Sequence, residues 1–161
     1  MGLTDSTARQ VLLGRGGRNV TVEAGDDNSL FQGGPANGEP MANVRLGQDH
    51  YLMDHFPAGF LLLVFGELQA MAPQVLAAVQ QAKAGGLPLA LVGVTAASDA
   101  QAPEGVDQML CDPDQHLAQT YGVAREGAAY LFRPDQHVCA RWLTISAQRL
   151  SSALNQAMGL S

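Results

Sequence analysis

The run Gly59-Phe60-Leu61-Leu62-Leu63-Val64-Phe65-Gly66 decides the fold. It is the longest unbroken run of large apolar side chains in the sequence. Phe60, Val64 and Phe65 favour extended backbone, and a glycine bounds each end. A strand with no polar alternation is covered on both faces, as in a sheet with helices on either side. The three leucines also suit a buried helix, but the run is too short for one, so length and flanks select a strand.

On the C-terminal side a helical pattern follows directly. Leu68, Met71, Ala72, Val75, Leu76, Val79 and Ala82 form one apolar stripe, with Pro73 in the first turns and Gly85-Gly86 as the stop. Leu89–Thr95 is a second apolar strand, so the helix between the two implies a parallel pair with a right-handed crossover. Met109–Cys111 reads as a short strand. Asp112 then caps a helix with Pro113 at its first position and Leu117, Ala118 and Tyr121 facing inward; Gly122 ends it. Ala129–Arg133 and His137–Leu143 form a hairpin around Pro134-Asp135-Gln136. In its second arm, strict alternation puts Val138, Ala140 and Trp142 on one face, and His137, Cys139 and Arg141 on the other. Ser146 caps a last helix with the stripe Leu150, Ala153, Leu154, Ala157 and Met158.

On the N-terminal side the signal weakens. Residues 24–40 are rich in Gly, Pro, Asp and Asn and mark the best boundary, giving an extension over 1–37 and a domain over 38–161. In the extension, Asp5 or Ser6 caps a short helix through Leu13. Gly14–Asn19 is a Gly-rich turn into an alternating strand, Asn19–Glu23. A phosphate loop needs the opposite order, strand before and helix after. Met41–Leu46 reads as a short extended piece, and Tyr51–Phe56 as a short helix or strand.

Composition limits the function classes. The 161 residues carry a formal charge of −6, and the basic residues are scattered. Binding to nucleic acid or to an anionic membrane needs clustered Lys and Arg, so neither is expected. No apolar segment approaches the roughly 20 residues that span a bilayer. There is no charged, apolar and cleavage-site sequence of the secretory kind at the start. Two cysteines, Cys111 and Cys139, beside an ample apolar core fit a reducing compartment, and a cytoplasmic location is expected. The Arg-over-Lys, Ala- and Gly-rich composition looks bacterial.

From Gly59 onward the element order is β-α-β-(β)-α-β-β-α, which resembles thioredoxin. The stretch Leu117–Val123, Ala128–Phe132 and Arg133–Val138 resembles the "A-x-x-Y-G-V … F … P-D-G-x-V" run of thioredoxins and peroxiredoxins. A narrower resemblance covers about residues 38–158. Gly38–Leu46, Leu52-Met53-Asp54-His55-Phe56, Gly59–Gly66 and Leu131–Trp142 together resemble the C-terminal domain of flavin-dependent aromatic hydroxylases of the phenol hydroxylase type. The resemblance implies a thioredoxin-like α/β fold: a mixed sheet with a parallel pair, an antiparallel C-terminal hairpin and helices on both faces. It also implies a domain without redox cysteines that contributes to subunit contacts, with FAD and the phenol held by other domains. Those domains have no counterpart here, because no strand–GxGxxG–helix unit with a later acidic residue is present. The sequence is expected to be either a fragment or a free-standing relative. No cofactor is expected to bind this chain. FAD is implied only for missing domains or for a flavoprotein monooxygenase partner, and a homodimer is the other expected assembly.

The residues for chemistry are few. Thioredoxins carry Cys-x-x-Cys after the first central strand; here the sequence is Gly66-Glu67-Leu68-Gln69-Ala70-Met71. Their cis-proline loop has Arg125–Ala129 as its counterpart, with no proline. Residue type alone therefore excludes the dithiol mechanism. An alternative is a thiol oxidoreductase or peroxiredoxin-like protein using Cys111, the weak catalytic candidate. A helix N-terminus after Cys111 favours a thiolate, whereas Asp112 and Asp114 disfavour one. Cys139 reads as a small core side chain. His50 and His55, five apart, do not share a helix face, and no cluster has metal-ligand spacing. A third reading is a small-ligand module with Glu67 at its cleft. For an interface the candidates are Tyr51, Phe56, Arg133, Arg141 and Trp142, since Arg and aromatic residues carry contact energy. Set against that, a solvated sheet face with Trp142 in the core accounts for Arg125, Arg133 and Arg141.

Overall fold

The structure is a computed structural model. It describes residues 26–46, 51–66, 73–96, 101–123 and 127–157. The expected helix and strand of the extension, the turn at Gly14–Asn19, His50, Glu67, Arg125 and Met158 lie outside the described residues.

Among the described residues five strands form one mixed sheet: β1 (Phe60–Phe65), β2 (Leu89–Thr95), β3 (Gln108–Cys111), β4 (Ala129–Phe132) and β5 (Val138–Trp142). Their order is β3-β2-β1-β4-β5. The apolar run is thus the central strand. It pairs parallel with β2, Leu62 opposite Leu91, and antiparallel with β4, Leu62 opposite Leu131. β3 continues the parallel half and β5 the antiparallel half. Three helices among the described residues cover the sheet: α1 (Pro73–Ala84), α2 (His116–Thr120) and α3 (Ala147–Ala157). The thioredoxin-like α/β arrangement expected from the sequence is present.

Strand alternation divides the core into two layers. On one face Leu62, Val64, Leu89, Leu91, Ala129 and Leu131 pack with Val75 and Val79 of α1 and Leu150 and Leu154 of α3. On the other face Leu61, Leu63, Phe65, Val92, Val94, Tyr130 and Phe132 pack with Leu117 of α2, Tyr121, Met41, Val44 and Leu52. Burying each large side chain contributes roughly 1.5–3 kcal/mol. A β1 that is apolar on both faces is what such a two-layer core requires.

Two local expectations change. Strict alternation in β5 fails, because Leu131 faces Ala140 while Phe132 faces Val138. Cys139 is the extra residue of a β-bulge. The bulge moves Val138 to the opposite face from Ala140 and Trp142. The second change is in α2, which begins at His116 rather than at Pro113. Asp112 still serves the helix start, from further away: its carboxylate accepts the amides of Leu117 (3.1 Å) and Ala118 (3.2 Å). A turn closed by Gln115 N–H to Asp112 O makes this reach possible, with Gln115 in the left-handed region at φ 58°. Gly122, at φ 68°, ends the helix as expected, with Val123 N–H bonded to Ala118 O.

Residues 26–40 form a strap along the outer edge of β5. It contains one 3₁₀ turn, Asn28–Leu30. The boundary expected at 37/38 therefore runs through a segment packed against the sheet. Tyr51–Phe56 holds one 3₁₀ turn, Leu52–His55, with Tyr51 N–H bonded to Asp54 Oδ2 at 2.8 Å.

Candidate functional site

The corner where thioredoxins place their redox pair lies after Gly66, at the end of β1. Neither cysteine of this chain belongs to that segment. Both are free thiols of intermediate exposure. Cys111 ends β3 opposite Thr95. The helix amides that favoured a thiolate there already receive a carboxylate, since Asp112 occupies the N–H groups of Leu117 and Ala118. Moreover α2 is only five residues long. The geometry beside Cys111 is that of a capped helix start. Burial pushes the Cys139 thiol above its ordinary value, and the Asp26 carboxylate pushes the same way; the charge of Arg133 offsets part of this. At neutral pH such a cysteine is a thiol, the unreactive form.

Arg141 departs furthest from the sequence expectation. Read as an exposed interface candidate on a solvated sheet face, it is instead only 5% exposed. Its Nε donates to Asn28 Oδ1 (2.8 Å), Nη1 to Gly33 O (2.9 Å) and Tyr130 Oη (3.2 Å), and Nη2 to Asn28 O (3.1 Å). The guanidinium also lies 4.4 Å from the centre of the Phe31 ring. It is a clamp inside the chain. Asp27 supplies a second clamp: Arg149 Nη2 donates to Asp27 Oδ1 at 2.7 Å and Nη1 to Oδ2 at 3.1 Å. Sequence reasoning missed Asp26, Asp27 and Arg149 entirely. Asp26 lies more than a hundred positions from Arg141, and Asp27 from Arg149; the strap's course past β5 and α3 brings them together.

Trp142 is in the core, as the solvated-face reading expected. Its indole N–H is buried without an acceptor among the described residues. It is therefore not available to a partner surface. Arg133 stands at the hairpin turn and reaches Asp135 with Nε and Nη2, both at 3.2 Å; this pair is exposed. Tyr51 is 43% exposed and Met53 46%. Phe56 is half-buried, edge-on to Phe132 at 5.0 Å between ring centres. Of the five interface candidates, Tyr51, Phe56 and Arg133 reach the surface.

A cleft of about 230 Å³ opens between β5, α3 and the strap, lined by Asp26, Asn37, Cys139, Trp142, Arg149 and Gln156. Its charged groups are already paired: Asp26 Oδ2 accepts from Asn37 Nδ2 at 2.7 Å, and Arg149 is bound to Asp27. Among the described residues no group of His, Cys, Asp or Glu could hold a metal ion. No helix there is long and apolar enough to cross a membrane.

No protein-family model matches the sequence, and neither does any curated protein. Solved structures do match. The flavin-dependent monooxygenase PieE, in complex with FAD and substrate, superposes with a TM-score of 0.58 at 19% identity, over 81% of this chain and 21% of its own. Aklavinone-11 hydroxylase, with FAD and aklavinone, gives 0.51 at 26% identity, over 77% and 21%. The rebeccamycin biosynthetic enzyme RebC with reduced flavin gives 0.54 at 22%, over 89% and 22%. This is the fold of one domain of the flavin-dependent monooxygenases. The chain spans about a fifth of the length of these enzymes. The resemblance read from the sequence is thus met at the level of the fold, over a region that corresponds to about a fifth of such an enzyme.

Neither the sequence after β1 nor the cleft described above has the features that hold FAD. The segment between β1 and α1, Gly66–Ala72, has one glycine where a dinucleotide fold needs three. The 230 Å³ cleft is smaller than the ~300–1,000 Å³ of ordinary ligand pockets, and Asp26 in its wall repels a pyrophosphate.

Proposed function

We propose that this chain is a non-catalytic accessory domain of the kind carried C-terminally by FAD-dependent aromatic hydroxylases, and that it works by surface contact. Its partner is a second copy of itself or a flavoprotein monooxygenase; FAD and the aromatic substrate belong to that flavoprotein or to other domains. The observation that carries the reading is the superposition on about a fifth of PieE, aklavinone-11 hydroxylase and RebC. The state of both cysteines supports it: Cys139 is held as a thiol, and the helix start beside Cys111 is taken by Asp112. The contact surface contains Tyr51 and Met53, with Phe56 and Arg133 as further contacts.

The test is isolation of the chain from its own cells under native conditions, with mass spectrometry and flavin absorbance on the eluate and sedimentation of the purified chain. A flavoprotein in fixed ratio, or a dimer weakened by Tyr51→Ser with Met53→Ser, supports the proposal. A colourless monomer without a partner sinks it. Disulfide-reducing or peroxidase turnover that disappears in Cys111→Ser would put the thiol oxidoreductase in its place.

A further inference from the structure

We draw no further inference here: the strongest candidate, the cleft between β5, α3 and the strap, carries nothing, because Asp26 and Arg149 in its wall are already bound to Asn37 and Asp27, and the unpaired indole N–H of Trp142 is sealed from any occupant.

Discussion

Arg141 shows how one side chain acquires a role that its residue type does not announce. In a strand read as alternating, an arginine between Ala140 and Trp142 belongs on the wet side. That side of β5 is instead covered by the strap, and beneath it Arg141 satisfies two carbonyls, an amide oxygen and a tyrosine hydroxyl. Truncating one partner of a buried charged network costs about 3 kcal/mol, because the groups left behind are desolvated and unpaired. Arg141→Met is therefore expected to lower the unfolding free energy by about that much in urea titration. Arg133→Met, at an exposed ion pair, is expected to change it by less than about 1 kcal/mol. Equal effects would mean that the clamp carries no special share. Arg141→Lys separates charge from geometry: an ammonium cannot reproduce the planar fork that serves Asn28, Gly33 and Tyr130 together, so most of the loss should remain.

At the scale of elements, legibility follows locality. β1, β2, α1, the hairpin and α3 were readable because each is written in its own apolar pattern, with a stop signal close by in sequence. The bulge was not readable: it is a register property of two strands, and nothing in Val138–Trp142 alone marks Cys139 as the extra residue. The strap clamp was hidden for the same reason, since Asp27 and Arg149 meet only in space. α2 lies between these cases. Asp112 was rightly read as the residue that satisfies the helix start, but the turn through Gln115 moved the start by three residues. Asp112→Ala removes acceptors for two buried amides, and a lost cap costs about 1–2 kcal/mol. The expected outcome is that loss in chemical denaturation, with faster exchange at Leu117 and Ala118. Asp114→Ala, whose side chain has no such part, should leave both unchanged. A cap effect at Asp114 instead would restore the helix start expected from sequence.

At the scale of the whole molecule, the ionisable groups set a window of stability. Burial acts to raise the Asp107 carboxyl, but the hydrogen bond and charge of Lys83 and the amide of Leu91 outweigh it and hold the group below the ordinary 3.8. Asp135 is likewise lowered, by Arg133 and His137. A lowered carboxyl contributes stability that is fully present above its unfolded value and is lost as pH falls from 3.8 through the folded value. The alkaline side has the opposite sign. Burial raises the Cys139 thiol above 9.0 and the Tyr130 hydroxyl above 10.0, despite Arg141 beside the latter. Burial raises Tyr121 further still, although its hydroxyl donates to Ala42 O at 2.7 Å. Such groups favour the folded state while protonated, and their contribution is lost as pH rises past the unfolded values. Growing negative charge on a chain already at −6 adds repulsion in the same range. Urea midpoints followed against pH should therefore form a plateau from about pH 4 to about pH 9 and fall on both sides. Lys83→Met should flatten the acid fall, because Asp107 then loses the partner that lowers it. Cys139→Ala should leave the acid side unchanged and shift the alkaline fall upward, towards the tyrosine range. A midpoint that rose between pH 4 and pH 3 would contradict the Lys83–Asp107 account, and one that stayed level to pH 11 would contradict the buried-phenol account.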